Sequence, residues 1–360
     1  MTGPGPEGGR PLAPEAAGGG AETGNELPVA VDAMGGDKAP EEVVAGARLA
    51  ASQFGLPVSL VGCPELLGDT GGLRVVPARE VIGMDEEPGQ AVRRKKDSSL
   101  VRAAEEVRDG RALAMVSAGN TGAAMASAML RMGRLRGVAR PAIATPLPIP
   151  GSTPLVLLDA GANAECSAPW LVQFAQMGAV FARCRYGIAD PRVALLSIGE
   201  EPTKGTSVVK EAHSLLAAQE EVRFVGNLEG RDLMSGLADV VVTDGFTGNV
   251  ALKTLEGGLR FFSETLLRAM QSTEAGREAA KVLLPLVAPL VAELDPDSQG
   301  GAMLVGVDGV CIISHGSSSA AAVANAIRVA HDLASGGVVG ELRRAVAPRP
   351  VPQASQPAAT

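Results

Sequence analysis

Short apolar runs alternate along the chain with stretches whose apolar residues have helical spacing. The runs at 29–32, 58–61 and 155–159 are rich in Val, Leu and Ile, which is typical of strands buried on both faces. The stretch at 41–54 instead has apolar residues on one helical face, after Pro40. Further strands are predicted at 73–76, 112–117, 192–198, 222–225, 238–243 and 310–313. Alternating strands and helices indicate βαβ units and a mostly parallel sheet.

Small polar loops follow six of these strands. The stretch 240–249, VVVTDGFTGN, shows the arrangement: a β-branched run, a turn with a carboxylate, hydroxyl and amide, and then a helical pattern. The loops come after Val31, Val116, Leu158, Ile198, Val242 and Ile313. Carboxyl ends of parallel strands share one edge of a sheet, so we expect all six loops to line one cleft. The alternative is ordinary turn and capping chemistry.

Composition narrows the possible partners. A formal charge of -8 and an aromatic content of 2% argue against a nucleic-acid-binding protein, which needs basic and stacking surfaces. None of the four cysteines forms a C-x-x-C pair, so neither a zinc nor a redox motif is indicated, and reduced thiols of a cytosolic protein are expected. We expect no signal peptide and no transmembrane helix.

The ends of the chain differ in composition from its centre. Residues 1–27 and 347–360 are rich in Gly, Pro and Ala and are predicted to be disordered tails around a single α/β domain at 28–346. Within that domain, 268–298 is predicted to be a protruding apolar helical segment. Its most apolar part, KVLLPLVAPLV at 281–291, is too short to span a bilayer, and we expect Pro285 and Pro289 to break it.

The loops suit an anionic ligand such as phosphate. Gly-rich loops at helix starts present free N–H groups, to which Lys204 adds a positive charge. No P-loop, dinucleotide fingerprint or nucleophile elbow is present, and Cys166 is interpreted as an ordinary small residue. Three strand-end aspartates are expected to accept hydrogen bonds, and a metal site is not favoured. His315 is the best titrating candidate, against the interpretation that it only supports a helix start.

Five motifs resemble the bacterial phosphate acyltransferase family (PlsX) over about 29–340. They are VAVDAMGGDKAP at 29–40, VRRKKDSS at 92–99, SAGNTG at 117–122, LLDAGAN at 157–163 and VVVTDGFTGNVALKTLE at 240–256. The resemblance implies transfer of a fatty acyl group from acyl-carrier protein to inorganic phosphate. The product, acyl-phosphate, would supply phospholipid (phosphatidic acid) synthesis through a glycerol-3-phosphate acyltransferase. The resemblance also implies a Rossmann-like α/β/α sandwich related to phosphotransacetylases, plus a protruding apolar helical hairpin. The protein would need no cofactor and would be a cytoplasmic homodimer peripherally associated with the inner membrane face.

The resemblance and the loops together assign residues to roles. The predicted catalytic residues are Lys204, Asn249 and His315. Substrate and phosphate contacts are predicted for Asp32, Gly35, Gly36, Asn120, Thr121, Asp159, Asn163, Asp244, Thr247 and Ser317. Carrier-protein contacts are predicted for Arg93, Arg94, Lys95 and Lys96, and membrane contacts for Leu283, Leu284, Leu286, Val287 and Leu290. The chain departs from the family pattern at Lys38, Asp308, Ile313 and Ser319.

Other functions remain open from the sequence. A short-chain phosphotransacetylase would use similar loops, whereas a decarboxylating dehydrogenase would need the missing dinucleotide fingerprint. A non-catalytic membrane-associated scaffold for lipid enzymes would keep the loops only as turns. The apolar segment has two interpretations as well: contact with lipid, or burial in a dimer.

Overall fold

The computed structural model describes residues 27–347, and the two predicted tails lie outside this part of the chain apart from Leu27 and Ala347. Its strands are β1 (Val29–Asp32), β2 (Val58–Gly62), β3 (Arg74–Pro77), β4 (Ala114–Ser117), β5 (Ala142–Leu147), β6 (Leu155–Leu158), β7 (Arg192–Ser197), β8 (Arg223–Glu229), β9 (Val240–Val242), β10 (Ala302–Val305) and β11 (Val310–Ile313). Its helices are α1 (Glu41–Phe54), α2 (Pro88–Arg94), α3 (Ser99–Arg108), α4 (Thr121–Arg131), α5 (Ala168–Tyr186), α6 (Ser207–Ala217), α7 (Gly245–Gln271), α8 (Glu274–Leu294), α9 (Ala320–Ser335) and α10 (Val338–Ala345). The predicted strands are confirmed to within a few residues.

All eleven strands form one sheet, in the order β3-β2-β1-β4-β11-β10-β5-β6-β9-β7-β8. Seven of the ten neighbouring pairs are parallel, which confirms the mostly parallel sheet. The pairs β11–β10, β10–β5 and β5–β6 are antiparallel. The sequence patterns missed β5 and β10. Strand β5 contains Pro146, which is tolerated because β10 pairs only with residues 142–144.

Helices cover both faces of the sheet, as in an α/β/α sandwich. Alternate strand residues belong to separate clusters: Val156 and Leu158 of β6 pack with α1, α5, α6, α9 and α10, whereas Leu157 faces the other way. That second face is covered by α2, α3, α4 and α7, and Leu252 of α7 packs there. Helices α4 and α7 therefore share one face, and α9 lies on the other.

The expectation that all six polar loops lie at one edge is wrong. The three antiparallel pairings reverse the strand direction once in total, so β6, β9 and β7 run opposite to β1, β4 and β11. The loops therefore form two groups at opposite edges. Neighbouring strands of a sheet are rotated by about 20–25° relative to each other. Over the five steps from β4 to β9, this twist rotates the two edges by roughly 100–125° away from pointing in opposite directions.

Helices α7 and α8 are joined at Ser272 and Thr273 and contact each other near that junction. Helix α8 runs through Pro285 and Pro289, so the expected break there is wrong. The two helices expose apolar side chains along much of their length. The exposed residues include Phe261, Phe262, Leu266, Leu267, Val282, Leu283, Leu284, Leu286, Val287, Leu290 and Val291. No helix within residues 27–347 is both long and apolar enough to cross a membrane.

Candidate active site

The first loop group, here called the α7 loop group, comprises residues 159–163, 199–205 and 244–249, which follow β6, β7 and β9. Its centre is Asp159, whose side chain is fully buried. Asp159 accepts hydrogen bonds from the backbone N–H groups of Ile143, Ala162 and Asn163 at 2.8–3.0 Å, and from the Asn163 amide at 2.9 Å. Burial raises the pKa of Asp159, while these donors act to lower it. The carboxylate therefore shapes the loop and does not face a ligand.

The start of α7 is fixed against this loop by two glycines. A Cβ on Gly245 would stand 2.8 Å from Asn163 backbone atoms, and one on Gly248 would stand 1.9 Å from the Asp159 carbonyl oxygen. Asp244 caps the helix, because it accepts from the Thr247 N–H and hydroxyl, both at 2.8 Å. Asp244 therefore shapes the loop as well, and the Thr247 donors are already engaged.

The exposed polar side chains of the α7 loop group include Asn249 and Lys204. Asn249 lies one residue beyond Gly248, and its Nδ2 donates to the Ala160 carbonyl at 3.3 Å. Lys204 lies in the loop after β7, where its stem packs over Gly199. Strands β7 and β9 are neighbours and parallel, so both loops leave the same edge side by side. This edge therefore offers an amide and an ammonium group to an anionic ligand, and the exposed carboxylates of Glu200 and Glu201 lie in the same loop as Lys204.

The second group, here called the α4 loop group, comprises residues 32–37, 117–121 and 314–319, which follow β1, β4 and β11. Asp32 is buried and accepts the Ser117 hydroxyl at 2.7 Å. Ser117 in turn accepts the Gly119 N–H at 3.0 Å. Burial raises the pKa of Asp32. Gly35 has no room for a side chain, since its Cβ would stand 2.4 Å from the Asp32 carboxylate. Ser117, the first residue of the SAGNTG motif, belongs to this network but is not among the predicted site residues.

The remaining predicted residues of the α4 loop group differ in exposure. Asn120 caps α4 by accepting from Ala123 N–H at 3.0 Å, and its amide donates to the carbonyls of Met84 and Glu86. Thr121 is exposed at the start of α4. The Nδ1 atom of His315 lies 2.8 Å from the Ser317 hydroxyl. This pair follows β11, which runs opposite to β7 and β9, so His315 belongs to the other edge from Lys204 and Asn249. Gly36 is partly buried against Ala118 and Gly316.

The basic run 93–96 covers the last two residues of α2 and the two residues that follow it. Lys95 is engaged, because its Nζ donates to Glu86 at 2.5 Å and to the Val81 carbonyl at 2.6 Å. This pairing lowers the pKa of Glu86. Arg93, Arg94 and Lys96 are exposed. A groove of about 370 Å³ between α2 and α4 is lined by Val92, Arg93, Lys96, Leu130 and Arg131.

Thiol chemistry does not fit this site. The Cys166 Sγ lies 3.8 Å from the Asn163 carbonyl oxygen, close to the α7 loop group. Burial and the nearby Asp159 and Asp244 raise the pKa of Cys166 to about 12. The thiol is therefore protonated at neutral pH and is a poor nucleophile. Within residues 27–347, no three His, Cys, Asp or Glu side chains are arranged to hold a metal ion.

Comparison with known proteins identifies the family. A family described as "Fatty acid synthesis protein" matches residues 27–341. A phosphate acyltransferase of Anaeromyxobacter dehalogenans strain 2CP-C is 49% identical over 335 residues, covering 90% of this chain and 92% of that protein. The chain belongs to the phosphate acyltransferase family. The sequence resemblance is thereby confirmed over almost all of the described residues.

Solved structures of two other acyltransferases share the fold of this phosphate acyltransferase family member. A branched-chain phosphotransacylase from Enterococcus faecalis V583 has a TM-score of 0.57 at 17% identity, covering 85% of this chain and 99% of that one. A phosphotransacetylase from Streptococcus pyogenes has a TM-score of 0.54 at 17% identity, covering 89% and 94%. At this identity the likeness shows the fold alone.

The positions that depart from the phosphate acyltransferase pattern have local structural roles. Ser319 caps α9 by accepting from the Ala322 N–H at 3.3 Å, a task that Asp or Asn also performs. Asp308 pairs with Arg343 of α10 at 2.6 Å. Ile313 is buried at the end of β11, whereas Lys38 is exposed. The first three substitutions are therefore accommodated within the fold.

Proposed function

We propose that the protein transfers a fatty acyl group from acyl-carrier protein to inorganic phosphate, giving acyl-phosphate for phospholipid synthesis. The observation that carries this proposal is the family match over residues 27–341. The site is compatible with it, since an exposed Lys and Asn lie beside glycine-rich helix starts and the nearby thiol is protonated. In this reaction phosphate itself is the nucleophile, so no covalent protein intermediate is needed.

In the proposed mechanism, a phosphate oxygen attacks the thioester carbonyl carbon and the carbon–sulfur bond then breaks. Lys204 holds the anionic phosphate, and the Asn249 amide donates to the oxyanion that forms on the carbonyl oxygen. The leaving thiolate takes the proton that the attacking hydrogen phosphate gives up, and departs with the carrier protein. Asp159 and Asp244 act indirectly, because they hold the loops that place these two side chains.

The proposal is tested by mixing the purified protein with hexadecanoyl-acyl-carrier protein and phosphate. We expect phosphate-dependent formation of acyl-phosphate and free carrier protein. A parallel reaction with short acyl-coenzyme A donors distinguishes a short-chain phosphotransacetylase, which would prefer them. If no acyl-phosphate forms with either donor, the non-catalytic scaffold is the remaining function.

The basic groove between α2 and α4 is the proposed contact for the acidic carrier protein. Its exposed apolar residue is Leu130, since Val92 is fully buried, and Arg93, Lys96 and Arg131 border it, which suits an acidic helix that presents an apolar side chain. The engaged Lys95 is left out of this contact and is assigned to holding the 81–86 loop.

Replacing Arg93 and Lys96 together by Glu should raise the KM for acyl-carrier protein by about tenfold, because like charges would face the acidic partner. The KM for phosphate should not change, and the effect should shrink at high salt. Initial rates measured across both substrate concentrations test this. Lys210→Glu on α6 is the control for added negative charge. Equal rises in KM for the double variant and the control would contradict the contact.

The exposed apolar side chains of α8 support a peripheral contact with the inner face of the cytoplasmic membrane. A surface of this kind is uncommon on a monomer in water. We propose that Leu283, Leu284, Leu286, Val287 and Leu290 enter the lipid interface. The protein is proposed to be a homodimer, and this membrane contact would bring it near the glycerol-3-phosphate acyltransferase that uses the product.

Leu286→Glu should reduce co-sedimentation with phosphatidylglycerol/phosphatidylethanolamine vesicles severalfold, since a charge in the interface opposes insertion. Leu286 is 72% exposed, so folding should be unaffected. Leu237→Glu, also at an exposed leucine, is the control. Activity on soluble substrates should be retained. If Leu286→Glu co-sediments with vesicles as before but its dimer dissociates, this surface is a contact with a second copy of the chain.

A further inference from the structure

Three apolar side chains are exposed beside Lys204 and Asn249. Ile198 follows β7 directly and is 81% exposed, while Phe246 and Val250 in the first turns of α7 are 67% and 50% exposed. None of them packs in the core clusters around the sheet. Large apolar side chains are costly to expose together at one edge of a sheet.

The helix start determines the direction of Phe246. Gly245 and Gly248 face the 159–163 loop so closely that no side chain fits. Phe246, Asn249 and Val250 have the spacing i, i+3, i+4, so they share the outer face of α7. The same close packing that fixes Asn249 therefore holds Phe246 and Val250 next to it, on the side of the helix away from Gly248.

Ile198 reaches the same edge from the neighbouring strand. Strand β7 pairs in parallel with β9, with Leu195 opposite Val242. Ile198 lies three residues beyond Leu195, and Phe246 lies four residues beyond Val242. Both side chains thus leave adjacent strands at their carboxyl ends, and the Lys204 loop begins immediately after Ile198.

We propose that Phe246, Val250 and Ile198 form the contact surface for the hydrocarbon chain of the acyl donor. This inference rests on the proposed function, which requires a ligand with a polar reacting end and a long apolar chain. The edge carries both kinds of group: an ammonium and an amide for phosphate and thioester, with Glu200 and Glu201 in the same loop, and three apolar side chains adjoining them. A chain seated there would remove the exposed apolar surface from water. The three residues are specificity-determining and do not act on the reacting atoms.

The test compares kcat/KM for hexadecanoyl- and octanoyl-acyl-carrier protein in Phe246→Ala and Ile198→Ala. In each variant the ratio of the long-chain to the short-chain value should fall about tenfold, mainly through KM, while the KM for phosphate stays unchanged. Leu237→Ala is the matched control, since Leu237 is 60% exposed but precedes β9, at the other end of that strand. Its ratio should equal that of the unmodified protein.

Two results would overturn the proposal. One is an unchanged chain-length ratio in both variants. The other is an equal loss with both donors together with a changed oligomeric state by light scattering, which would make this surface a contact between copies. If the unmodified protein forms no acyl-phosphate from either donor, the proposed function itself fails. This outcome is distinct from the two above, in which the unmodified protein is active. Thermal unfolding of each variant checks that it is folded.

Discussion

Asn249→Ala should lower kcat for acyl transfer to phosphate by about 100-fold or more, the usual cost of removing one oxyanion donor. The side chain is exposed and makes one hydrogen bond, of 3.3 Å, to the Ala160 carbonyl, so its loss should have little effect on folding. Its position is nevertheless well fixed, because Gly248 packs directly against Asp159. The measurement is the steady-state rate of acyl-phosphate formation at saturating phosphate.

Two further variants sharpen this prediction. Asn249→Asp has nearly the same shape but exchanges a donor for a negative charge, so it should lose at least as much activity as Asn249→Ala. Asn325→Ala in α9 is the control for a lost asparagine on the opposite face and should retain full activity. Near-normal kcat in both Asn249 variants would remove this residue from the mechanism.

Much of the fold could be predicted from local patterns. The β-branched runs at Val29–Asp32 and Val240–Val242 are strands, and Gly55 ends α1 in the left-handed conformation. Strand β5 has no such signal, since AIATPL contains Pro and two Ala. Yet β5 and β10 reverse the sheet direction, and this reversal depends on pairing between residues more than 150 positions apart. Local periodicity carries no information about such pairing.

The same long-range pairing limits how much of the candidate site the sequence can predict. The sequence identifies loops with Asp159, Asp244 and Asn249, but not which loops share an edge. Nor does it separate side chains that build a loop from those that face a ligand. Asp159 and Asn249 are both polar residues after an apolar strand, and only burial distinguishes them. Phe246 would be assigned to the core by its residue type, whereas the flanking glycines place it outside.

Gly248→Ala should destabilise the protein by about 3 kcal/mol and abolish most of its activity. The new Cβ would stand 1.9 Å from the carbonyl oxygen of Asp159, and backbone atoms cannot move aside as a side chain can. Either α7 moves outward or the 159–163 loop shifts, and both change the position of Asn249. Urea unfolding gives the stability change, and the acyl-phosphate assay gives the loss of activity.

Gly257→Ala, about two and a half turns further along α7, is the matched control. A Cβ at Gly257 has no neighbour within 4 Å, so the methyl group enters open space. Alanine favours the helix over glycine by about 0.5–1 kcal/mol, and this variant should therefore be slightly more stable and fully active. The two substitutions make the same chemical change in the same helix with opposite expected signs. If Gly248→Ala were also neutral, the close contact between α7 and Asp159 could not be what places Asn249 at the sheet edge.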